Sequence, residues 1–135
     1  MATPTSTLIA WEPGRPFAPM FKTGFEAFTS HAGVDGLARI NGTCLEVLAV
    51  VSGATGSLRR FISLAKLEFE QVIVWEVWNP ILANALLRYD FRPYTRTEPD
   101  GEVLKGLAWS QRSQQALDAQ RLRPAAGWPT QSRAA

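Results

Sequence analysis

Apolar positions in this chain fall into short runs separated by glycine, proline and asparagine, and the spacing within each run predicts its structure. Leu8, Ile9, Ala10 and Trp11 end a first strand, Ser6 to Trp11, closed by the turn-rich stretch Glu12-Pro13-Gly14-Arg15-Pro16. From Pro19 to Ser30, Met20, Phe21, Phe25 and Phe28 recur at helical spacing around Lys22 and Glu26, which predicts a helix with an aromatic face. Gly33 to Gly36 reads as a loop and Leu37 to Ile40 as a strand. Asn41-Gly42 predicts a two-residue hairpin turn, since both residues tolerate positive φ. The returning strand, Thr43 to Val51, is almost wholly apolar with Glu46 as its one charge, a pattern that suits a central strand covered on both faces.

Ser52-Gly53-Ala54-Thr55-Gly56-Ser57 then breaks the run, and Thr55 or Ser57 is expected to cap the helix that follows. Leu58, Phe61, Ile62, Ala65 and Phe69 form the apolar stripe of that helix, with Arg59, Arg60, Lys66 and Glu70 facing elsewhere. Gln71 to Trp78 is β-branched and aromatic, hence a strand, and strand, helix and strand on short loops predict a right-handed parallel crossover. Asn79 as N-cap and Pro80 at the first helical position open another helix, whose stripe is Leu82, Ala85, Leu86 and Tyr89. Phe91 to Thr97 and Glu102 to Trp109 flank the turn Glu98-Pro99-Asp100-Gly101 as a terminal hairpin. Ser110 to Arg123 fits a polar helix, and Pro124 to Ala135 a tail with a lone Trp128. The expected fold is α/β (α+β), a mixed central sheet with a parallel βαβ core, flanking helices and a C-terminal hairpin. Residues 1–109 form one domain and 110–135 a helix and tail.

Composition narrows the chemistry. Of 135 residues 46% are apolar and 19% charged, which is globular, and a net charge of +2 with Arg59-Arg60 as the only adjacent basic pair makes no basic groove, so no nucleic-acid partner is expected. One cysteine and one histidine exclude an internal disulfide and a Cys/His zinc site, and no metal is expected. Cys44, in an apolar run, reads as a small buried hydrophobe. No run approaches the roughly 20 apolar residues of a membrane span, and Met1-Ala-Thr-Pro-Thr-Ser lacks the basic start of a signal peptide, so no membrane is expected and the cytoplasm is the default compartment.

The loop at 52–57 lies where a strand meets a helix N-terminus, a setting that favours phosphate. It is not a P-loop, since Gly56 is followed by Ser57-Leu58, and two glycines are too few for a dinucleotide fingerprint. Together with the strand 72–77, the helix opening at Asn79, Asp90-Phe91 twelve residues on and the hairpin after it, the stretch Leu37 to Trp109 resembles the GNAT (acyl-CoA N-acyltransferase) superfamily fold. The resemblance implies that acetyl-CoA would lie between the strands Cys44–Val51 and Val72–Val77. It implies that Val50, Val51, Gly53, Ala54, Thr55, Gly56, Ser57 and Asn79 bind the cofactor, the amides after Ser52 holding the pyrophosphate and Asn79 the pantetheine arm.

Glu46 is the expected general base and Glu76 the second choice; paired with an arginine such as Arg39, Glu46 would instead be structural. The family's acidic Tyr falls on Leu86, so Tyr89, one turn on, is the candidate acid, and Asp90 stands where the family has Gly. His31 sits in a loop without an evident partner. The front of the fold reads as short by one strand and most of a helix. A compact GNAT-like chain with Tyr94-Thr95-Arg96 in its hairpin is also similar to internal virion or accessory proteins of short-tailed bacteriophages. That similarity implies an interaction protein, virion-associated or in the host cytoplasm, with Trp128 of the tail as an anchor for a protein partner. The alternative is an active amine N-acetyltransferase.

Overall fold

A computed structural model describes residues 6–12, 24–52, 54 and 56–122, the side chains of Ala49, Val51 and Ser52 excepted. The elements run β1 (Ile9–Trp11), β2 (Glu26–Ser30), β3 (Val34–Asn41), β4 (Cys44–Ser52), α1 (Ser57–Glu68), β5 (Gln71–Trp75), α2 (Pro80–Arg88), β6 (Arg92–Thr97), β7 (Val103–Ser110) and α3 (Gln111–Leu122). All seven strands form one mixed sheet in the order β1-β2-β3-β4-β5-β7-β6, so the fold is α+β. Neighbouring pairs are antiparallel except β4 and β5, whose parallel pairing is what the crossover through α1 produces.

Side-chain alternation gives the sheet two unlike faces. Leu45 and Val47 of β4, Val72 and Val74 of β5, and Leu107 and Trp109 of β7 join Phe61, Ile62 and Ala65 of α1 and Leu86 of α2 in the main core. The other face holds a smaller cluster of Ile73, Trp75 and Leu104, with Phe25, Cys44, Leu48, Tyr94 and Ala108 against it.

The helix expected over 19–30 is corrected where it is described: Glu26–Ser30 is the second strand, and 19–23 lie outside the described residues. In a helix Phe25 and Phe28 would share a face; here they lie on opposite faces of the sheet, Phe28 in the main core and Phe25 in the smaller cluster. β2 thus adds to the sheet, between β1 and β3, a strand the sequence did not lead one to expect. In place of the loop expected at Gly33–Gly36, a turn over His31–Gly33, closed by the Gly33 N–H on the Ser30 carbonyl, precedes β3, and Gly36 is a strand residue opposite Phe28 next to a register shift between Asp35 and Leu37. Glycine inside a strand marks such a bulge. The hairpin turn falls one residue later than expected, on Gly42 and Thr43, because Asn41 pairs with Cys44. Gly42 holds the positive φ of 65°.

α2 begins as the sequence implies, with Asn79 Oδ1 accepting the Ile81 N–H at 2.8 Å and Pro80 first in the helix. It ends in a Schellman motif. The Phe91 N–H reaches the Leu86 carbonyl and the Asp90 N–H that of Leu87, with Asp90 left-handed at φ 72° and Phe91 and Leu86 both fully buried. α3 buries none of its residues. Polar contacts tie it to the domain: Gln111 N–H to the Glu70 carbonyl, Trp109 Nε1 to Gln114 Oε1, and a two-pronged pair from Arg121 to Asp90.

Candidate functional site

The two halves of β4 have different neighbours. Cys44 to Val47 pair with β3 on one side and β5 on the other, ending at Val47 opposite Val74. β5 then stays with β7: Trp75 pairs with Gly106, and the Glu76 N–H donates to the Lys105 carbonyl at 2.8 Å. Glu76 takes a left-handed φ of 53°, which ends the strand short of the expected Trp78. Among the described residues, Leu48 to Ser52 therefore continue along β3 with no ladder partner on the β5 side.

The helix after β4 points its N-terminus toward that end. Its N-cap is Gly56 at φ 87°, without a side-chain cap, which corrects the expectation for Ser57; Thr55 lies outside the described residues, as does Gly53. Ser57 is the first helical residue and its hydroxyl is turned inward. A Cβ on Gly33 would stand 2.7 Å from Ser57 Oγ, so only the backbone of Ser57 serves the loop side. Ala54 is exposed and its carbonyl accepts the Ser57 N–H at 3.1 Å. Val50 is half-buried against the main core, and Val51 is opposite Asp35 in the ladder. Asn79 is exposed, with its side-chain oxygen used as the helix cap.

Glu46 lies on the smaller-cluster face, fully buried at 0% exposure. Its Oε1 accepts three hydrogen bonds: from Arg39 Nη2 at 2.8 Å, Trp75 Nε1 at 2.9 Å and Arg96 Nη2 at 2.6 Å. Arg39 is its cross-strand partner in β3, whereas Arg96 reaches over β7 from β6. Gly106 makes that reach possible. A Cβ there would fall 2.3 Å from the Val74 carbonyl and 3.0 Å from Trp75 Cε3, so the indole lies on the glycine and Arg96 stacks over the indole at 4.9 Å. Glu98 completes the cluster, accepting from Arg96 Nε at 3.2 Å.

Burial alone would raise the Glu46 carboxyl, but the hydrogen bonds from Arg39, Trp75 and Arg96 outweigh it and hold it below its ordinary value. The group is a stabilised anion, the opposite of a base poised near neutral pH. Beside it, burial first and the Glu46 charge second push the Cys44 thiol up to about 11, so it stays protonated and unreactive.

Tyr89 is on the other face. It is the C-cap of α2, half-buried against the main core, and its carbonyl accepts a hydrogen bond from Lys66 Nζ. The candidate base and acid thus sit on opposite sides of the sheet. Glu76 lies with Val77, Trp78, Ala83, Val103, Lys105, Gly106 and Leu107 along a groove of about 510 Å³, and His31 is exposed in the β2–β3 turn. The Arg39–Glu46 pairing was open to sequence reasoning; Arg96 and Trp75 were not, because nothing local links residues so far apart.

Comparison of the chain with models of known protein families, with curated proteins and with solved structures finds no match. Among the described residues no three His, Cys, Asp or Glu side chains group as metal ligands, and no helix is long and apolar enough to cross a membrane.

Proposed function

We propose that this chain is a GNAT-like protein that acts as an interaction module, of the accessory or virion-associated kind found in short-tailed phages, rather than by acyl transfer. The observation that carries this reading is the state of Glu46. A base must take a proton from an attacking amine, and a carboxylate held below its ordinary value by three donors on one oxygen, with the other oxygen buried, is a poor acceptor. Leu86, fully buried, occupies the position where the resemblance calls for an acidic Tyr. The GNAT relationship itself draws support from the single parallel pair inside the mixed sheet, the helix opened by Asn79 and the terminal hairpin.

The second reading is an acetyl-CoA-dependent amine N-acetyltransferase, favoured by the end of the parallel β4–β5 pairing at Val47 and Val74. There the backbone of Leu48–Ser52 would hold the pantetheine arm, the loop through Gly56 the pyrophosphate, and catalysis would rest on proximity and orientation. Calorimetric titration with acetyl-CoA, followed by a thiol-release assay on a set of primary amines, separates the two. The interaction reading expects no catalysed thiol release whether or not the nucleotide binds. Catalysed release that drops at least tenfold in Glu46→Gln, with acetyl-CoA affinity retained, would overturn it.

A further inference from the structure

Trp109 is only 4% exposed, and its indole Nε1 donates to Gln114 Oε1 at 2.8 Å. The polar edge of a core ring is thus closed by α3, a helix that buries none of its own residues. The same Gln114 amide donates through Nε2 to Asp90 Oδ2 at 3.0 Å. Further along α3, Arg121 donates to both oxygens of Asp90, at 2.7 and 3.1 Å. One carboxylate at the end of α2 therefore receives donors from both halves of α3, and Gln114 links it to the indole.

α3 has 12 residues, and isolated helices shorter than about 12–15 residues are marginal in water. With no buried residues of its own to hold it, its docking and its helix formation are one equilibrium. We propose that α3 is a latch that opens by unfolding as a unit, with Asp90 as its catch, and that opening uncovers the indole edge of Trp109 while the sheet beneath stays intact. The backbone of Trp109 is held separately, paired with Val72 in the β5–β7 ladder. Arg121 is 57% exposed, so salt weakens the catch; the Debye length falls from about 30 Å at 0.01 M to about 3 Å at 1 M. The latch thereby ties ionic strength to access to the ring.

Hydrogen exchange followed by NMR on the full chain tests this, because the indole and backbone N–H of Trp109 are read separately. The indole N–H and the α3 amides are expected to share one local opening, reached far more often than the global unfolding that frees the Trp109 backbone amide. Arg121→Gln, at a side chain that pairs with Asp90 and Asp118, is expected to speed α3 and the indole by the same factor, about threefold, as for loss of an exposed ion pair. Raising the salt to about 1 M should do the same to the wild type. Arg60→Gln, the same charge change at an exposed site on α1, leaves both unchanged. An indole that exchanges only with the backbone amide, α3 amides as protected as those of β5, or an Arg121→Gln effect that does not reach the indole overturns the proposal.

Discussion

The two faces of the sheet are held by different physics. Under α1 and α2 the side chains are hydrocarbon and aromatic, closed by contacts such as the stacked Phe28 and Phe61 rings at 5.8 Å. On the other face the centre is a charge: Glu46, buried as completely as Phe28, held by Arg39, Arg96 and Trp75. An apolar face tolerates change in proportion to volume lost. A buried ion with its partners tolerates loss of all of them better than loss of one. The charged cluster also ties β3, β4, β5 and β6 together across the one parallel joint in the sheet, at the end where β4 and β5 still pair.

The comparison can be broken from either side. Phe61→Ala should cost about 4 kcal/mol, the range of large-to-small changes in a packed core, read by urea unfolding. Glu46→Ala should follow closely at about 3 kcal/mol, because it leaves two guanidinium groups facing a buried space; their partial exposure keeps it at the low end of the range for a broken buried pair. A loss under about 1 kcal/mol would put Glu46 in the class of surface ion pairs.

Acid separates the faces next. The Glu46 carboxyl is lowered by folding, so its contribution is fully present above the ordinary value of 4.5 and is lost as pH falls through the folded value. Thermal melts from neutral pH downward should show wild-type stability falling below that point. Glu46→Gln, less stable at neutral pH, should lose less on acidification, and parallel curves would contradict the electrostatic account.

The smallest effect is expected at α3, which buries none of its residues. Asp90→Asn keeps a residue that tolerates the left-handed turn but removes the charge facing Arg121. Amide exchange in α3 should speed up a few-fold with the rest of the domain unchanged. High salt applied to the wild type should produce the same change.

Much of this fold was legible from periodicity, and the failures have local causes. β4, α1, β5, α2 and the terminal hairpin carry clean periods or caps, and each appears within a few residues of its expected bounds. β2 was misread because Phe25 and Phe28, three apart, satisfy a helical pattern, while in a strand that odd spacing sends them to opposite faces. The hairpin turn shows how a small error spreads. With Asn41-Gly42 at its centre, Arg39 would face Cys44; with Gly42-Thr43 at the centre, Arg39 faces Glu46 and the ion cluster becomes possible. Of the candidate site, Asn79 was found by its capping chemistry. The partners of Glu46 on β5 and β6 depended on a sheet order and on the space above Gly106 that no sequence window contains.

Titration of the Glu46 side-chain carboxyl by carbon-detected NMR tests the central claim most directly, with Glu46→Gln used to assign the resonance. A midpoint below the ordinary 4.5 is predicted, as for a carboxylate fixed by two arginines and an indole. A midpoint raised toward neutral would contradict the account and return Glu46 to the role of a base.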